Sequence, residues 1–152
     1  MENVYENLEK KYAFTNETLN WGLYKLNRIR ALKDFGTVKA GDLGGWIETE
    51  DNLSHSGDCW VADEAKVYLK AKISQNACIL GNANILGNAY IFGDVSIGGD
   101  VCIKGSLYLS GDVKIFGKVE ISEEGLSHCG DCPDYLNYLY RTEFSHEYAG
   151  ND

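Results

Sequence analysis

The sequence predicts an all-β fold, a parallel solenoid of very short strands, and three series of residues carry that prediction. Branched apolar residues recur every six positions without a break in phase: Val61, Val67, Ile73, Ile79, Ile85, Ile91, Ile97, Ile103, Leu109, Ile115 and Ile121. Two positions before each stands a smaller residue, in the series Cys59, Ala65, Ala71, Ala77, Ala83, Ala89, Val95, Val101, Leu107, Val113 and Val119. A third register holds Gly81, Gly87, Gly93, Gly99, Gly105, Gly111 and Gly117.

A helix cannot use this period. At about 100° per residue, six residues turn the helix by about 600°, so successive members would point in three directions. A strand has period two, and six is even, so both apolar series can face the same side. A flat sheet needs no glycine every six residues, whereas a strand–turn–strand coil does. Glycine and asparagine then mark the corners, and the β-branched residues line the walls.

The chain divides into three segments. Residues 1–57 form a β-rich leader that caps the first coil. Within it, Glu2 to Lys11 reads as a frayed or helical lead-in, and Tyr12 to Thr15 as a short strand. Asn20 and Gly22 mark a hairpin turn, followed by a glycine-punctuated connection into Trp46 and Ile47. A cap is physically required, because an open coil end exposes both core and strand edges. Residues 58–123 are the eleven hexads. Residues 124–152 are a turn and a C-terminal helix over about 133–147, with Pro133 in its first turn and Leu136, Leu139, Tyr140 and Phe144 at helical spacing.

The motif, an aliphatic residue, two variable ones, a polar corner residue and a small one, resembles the hexapeptide repeat of the left-handed parallel β-helix, the superfamily of trimeric acyltransferases. That resemblance implies three hexads per triangular coil, about four coils here, and the left hand. Residues 28–68 are similar to the leader of bacterial and phage Gly-Asn-Ala repeat proteins, which are uncharacterised or described only as transferases. This similarity implies a phage or mobile-element origin.

Eighteen residues per coil sort the outward positions into three faces. The first stacks Trp60, Cys78, Ser96 and Lys114 beside Ala62, Leu80, Gly98 and Phe116. The second stacks Lys66, Asn84, Cys102 and Glu120 beside Tyr68, Leu86, Lys104 and Ser122, and reads as solvated. The third stacks Lys72, Tyr90 and Tyr108 beside Ser74, Phe92 and Ser110. Large apolar groups facing water mark an interface. Trp60, Leu80, Phe116, Tyr90, Phe92 and Tyr108 are therefore the candidate contacts, either with further copies of the chain, a trimer being favoured, or with a foreign partner.

The net charge of −9 argues against direct nucleic-acid binding and permits a basic host protein as partner. Residues 124–152 alone carry one basic and six acidic groups. No segment has the length and apolarity of a membrane span, and the N-terminus lacks a signal-peptide core, so a cytoplasmic location is expected. The five cysteines then read as reduced thiols. His128, Cys129 and Cys132 form half of a metal-site pattern, too little for a complete zinc site. No phosphate-binding or dinucleotide motif is present, and no cofactor is expected. The hexapeptide resemblance raises acyl transfer with a histidine base, but the histidines are His55, His128 and His146, none of them within the hexads. The reading from sequence is thus a non-catalytic binding protein that sequesters a host factor. Acyl transfer or ligand binding at trimer seams and a purely structural oligomer are its rivals.

Overall fold

Because each hexad offers one large and one small inward residue followed by a corner, the chain bends by one face every six residues and returns above itself after eighteen. The computed structural model describes residues 9–122 and the backbone of 125–128. A long hairpin, β1 (Tyr12–Trp21) and β2 (Tyr24–Ala31), is followed by β3 (Leu43–Ile47) and a 3-10 turn at Glu50–Asn52. Ten two-residue strands come next: β4 (Trp60–Val61), β5 (Lys66–Val67), β6 (Lys72–Ile73), β7 (Cys78–Ile79), β8 (Asn84–Ile85), β9 (Tyr90–Ile91), β10 (Ser96–Ile97), β11 (Cys102–Ile103), β12 (Tyr108–Leu109) and β13 (Lys114–Ile115). The last two strands are β14 (Val119–Ser122) and β15 (Gly125–His128).

Every third strand stacks in parallel. The three walls are β4-β7-β10-β13, β6-β9-β12, and a continuous sheet β1-β2-β3-β5-β8-β11-β14-β15. The register is the eighteen-residue one that the hexads demand, as in Ile73↔Ile91 and Ile97↔Ile115. Main-chain N–H groups of one coil donate to carbonyls of the next, for example Lys72 N to Ala89 O at 2.9 Å and Ser74 N to Ile91 O at 3.0 Å. The result is a left-handed β-helix-like solenoid of about four coils. All eleven large rung residues are at most 2% exposed, and the small ones fill the column between them.

The solenoid begins earlier than the unbroken ladder suggests. Trp46 and Ile47 stack on Lys66 and Val67, and Leu53 bridges to Ile73, so a partial coil lies above the first full one. Asn52 clamps the two together from a buried position. Its Nδ2 donates to Leu69 O and Ala71 O, and its Oδ1 accepts from Glu48 N and Thr49 N.

The cap also reaches over the second face. Leu26, Trp46 and Tyr68 form a small buried cluster with Leu19, Tyr24, Leu69 and Leu86 against it. Lys66 is buried there, its Nζ 4.4 Å from the Trp21 ring centroid and donating to Glu64 O. The upper part of that face is thus covered rather than solvated, because β1 and β2 continue its sheet and fold their apolar side chains back onto it. The expected lead-in falls largely on residues outside those described, and residues 9–11 are not helical. The expected C-terminal helix lies outside the described residues. Among the described residues, no helix is long and apolar enough to cross a membrane.

Candidate functional site

The eighteen-residue register brings the third face's aromatic residues together. Tyr90 and Tyr108 are direct partners on β9 and β12, one coil step apart. Their rings meet edge to face at 5.7 Å and 86°, and Tyr90 lies 4.8 Å from Phe92. Such pairs are worth about 0.5–1.5 kcal/mol beyond the area they bury. Even so packed, Tyr108 is 55% exposed. On the first face, Leu80, Gly98 and Phe116 make a second stripe. The Phe116 ring lies across Gly98, where a Cβ would sit 2.6 Å from Cε1 of that ring and 3.4 Å from Leu80 Cδ1. Glycine at that position lets one ring bridge two coils.

Trp60 does not belong to this surface. It is 5% exposed, packed edge to face on Phe35 at 5.3 Å and near Tyr12 at 6.4 Å. The cap covers the top of the first face, so Trp60 is a core residue and the open stripe starts at Leu80.

A polar nest that no spacing in the sequence announces lies at the junction of cap and coil. Lys11 precedes β1, Glu50 opens the 3-10 turn, and His55 and Cys59 flank the corner before β4. Lys11 is fully buried, and its Nζ donates to Gly57 O at 3.0 Å and Cys59 O at 2.7 Å and lies 3.4 Å from Cys59 Sγ. Burial holds its ammonium below the ordinary lysine range, and burial likewise pushes the Cys59 thiol up. The Tyr12 hydroxyl donates to Leu53 O and Glu50 O, and burial drives its pKa strongly upward.

His55 stacks on Tyr12 at 4.1 Å. Its Nδ1 accepts the Lys11 main-chain N–H at 3.1 Å, so the ring proton resides on Nε2 and is given to Glu50 Oε1 at 2.9 Å. The lone pair a general base would need is thus occupied by the backbone. His55 holds the cap.

Glu50 also accepts from Lys10 at 3.3 Å. Burial pushes its carboxyl up, but the bonds from His55 and Lys10 outweigh this and hold it below its usual 4.5. A depressed carboxylate contributes stability that is complete above the unfolded pKa and lost as pH falls through the folded one. Denaturant titrations of wild type from about pH 6 down to about pH 3 should show stability falling below about pH 4.5. Glu50→Gln should flatten that fall. An unchanged slope would mean that other carboxylates carry it.

Cys78 and Cys102 are free, half-buried thiols on different walls. Among the described residues no group of three or more His, Cys, Asp or Glu could hold a metal ion. Cys129, Cys132 and His146 lie outside the described residues, and His128 is placed only by the backbone of β15.

No protein-family model matches the chain. Over 39 residues it is 46% identical to a protein named "Uncharacterized acetyltransferase YdcK" from Escherichia coli (strain K12). The match covers 26% of this chain and 12% of that relative's length. It corrects the expectation that the chain is not an enzyme. A relative bears an acetyltransferase name, and the hexapeptide coil is an architecture compatible with acetyl transfer, so histidine-free hexads do not exclude catalysis.

Proposed function

We propose that the chain is a β-helical binding platform whose outward apolar residues join it to other proteins. The observation that carries this reading is the ring cluster of Tyr90, Phe92 and Tyr108, held in register across two coils with Tyr108 more than half exposed. Rigid aromatic groups presented to water are the usual anchors of an interface. In this reading the third face packs against further copies of the chain, a trimer being favoured, and the Leu80–Phe116 stripe is left for a foreign partner. A net charge of −9 favours a basic one. The phage-like leader favours a mobile-element protein that sequesters a host factor, including a defence component, in the cytosol.

Light scattering over a concentration series tests the first step. Wild type should be a closed oligomer, and Tyr108→Ala or Phe92→Ala should weaken its assembly by about tenfold or more while leaving the fold intact. A wild type that stays monomeric at every concentration would remove the third face as a self-contact.

The similarity to an acetyltransferase favours a second reading, acyl transfer at the seams between copies. Acetyl-coenzyme A should then raise the melting temperature of the oligomer, and not of the Tyr108→Ala variant. Release of free coenzyme thiol on addition of an amine or alcohol acceptor would separate catalysis from simple binding.

A further inference from the structure

The Lys11–Cys59 contact holds an amine and a thiol together inside the protein, 48 positions apart in sequence. Both are fully buried, and the amine lies within 3.4 Å of the sulfur. Two groups that touch Lys11 Nζ, the Gly57 carbonyl and the Phe35 ring at 4.6 Å, belong to residues lining an open pocket of about 560 Å³. His55, Ser56 and Asp58 also line it. Neither Lys11 nor Cys59 lines the pocket, so a small uncharged oxidant must cross one layer of residues to reach the thiol.

We propose that Lys11 and Cys59 form a redox latch, joined by a sulfur–nitrogen bond when a peroxide oxidises the thiol. In the first step Cys59 attacks the peroxide, the O–O bond breaks, and the sulfur becomes a sulfenic acid as one water leaves. In the second, the Lys11 amine attacks that electrophilic sulfur. The S–OH bond breaks, the S–N bond forms, and the amine's proton leaves with the hydroxyl as a second water. One equivalent of peroxide is reduced and the pair loses two hydrogens. Condensation of a sulfenic acid with a nitrogen is established thiol chemistry, and a thiol reductant returns both side chains. Burial acts oppositely on the two steps: it disfavours the thiolate that attacks in the first, an effect that the adjacent Lys11 opposes, and it leaves a larger share of neutral amine for the second. The bond would tie the segment before β1 to the corner before β4, locking the cap onto the coil.

Hydrogen peroxide applied to the folded 152-residue chain tests this by peptide mapping. The expected product is a linked pair of peptides containing Lys11 and Cys59, lighter by two hydrogens and separated again by dithiothreitol. The melting temperature should rise in step with the linked fraction. Lys11→Arg keeps the cation and removes the primary amine. Its Cys59 should pass to the sulfinic acid with no link and no rise. Recovery from wild type of unmodified Cys59, or of oxidised Cys59 beside free Lys11, would overturn the latch. A linked peptide that retains the oxygen would overturn the condensation step.

Discussion

Replacing Trp60 with alanine is expected to cost the fold about 3–5 kcal/mol, the range for removing a large aromatic side chain from a core. The ring stands at 5% exposure between Phe35 and Tyr12, beneath the hairpin cap. It also limits Gly44, where a Cβ would lie 2.7 Å from Trp60 Cζ2, so the cap and the first wall close on each other around this ring. Urea denaturation of monomeric protein should show the loss directly. Tyr108→Ala, at a position more than half exposed, should lose only about 0.5–1.5 kcal/mol, the share of its ring pair with Tyr90, under the same conditions. The contrast separates a side chain that holds the cap from one that faces a partner. If Trp60→Ala kept full stability and weakened only assembly, the cap would not be packed as described.

Trp60 also illustrates what could be read from the sequence and what could not. Its position in the hexad fixes its wall and its outward direction, and the register with Cys78 has both as the period requires. What covers an outward residue depends on chain elsewhere, and the covering residues Tyr12 and Phe35 carry no periodic signal. The partial first coil was hidden for a related reason. Ile47 and Leu53 are six apart and inward, but Leu53 to Val61 is eight, so two extra residues break the phase. His55 sits in that break. Counting back six from Val61 makes His55 a rung, whereas the inward residue is Leu53, fully buried over Ile73. The cover on the upper part of the second face is not legible in the hexads, because Trp46 lies on a strand stacked in parallel above the first full coil and Leu26 on a strand paired antiparallel to that one. The polar nest joins Lys11 to Glu50, His55 and Cys59, which lie some forty residues further along the chain. Residue spacing encodes a repeat, and of the nest only Cys59 belongs to one.

Gly87→Ala is expected to be nearly as damaging as loss of a core side chain, at about 2–4 kcal/mol. Two causes add. Gly87 has φ of +79°, and a left-handed backbone costs an L-residue about 1–2 kcal/mol. A Cβ there would also meet Gly105 N at 2.7 Å, which is backbone and cannot swing aside. Gly117→Ala separates the causes, since φ is +107° but nothing lies within 4 Å of its Cβ. It should lose only the backbone share, and thermal melts of the two variants should differ by several degrees. Equal losses would mean that stacking between corners contributes nothing. One coil higher the corners are left-handed without glycine, at Asp63, Leu69 and Gln75, with φ of 55°, 59° and 59°. The Asp63 and Gln75 side chains accept the N–H groups of Gly81 and Gly93 below, at 2.9 and 3.0 Å, and the Leu69 N–H is itself held by Glu48 Oε1 at 2.8 Å. Alanine at Gly87 has nothing to offer Gly105 and meets its main chain instead.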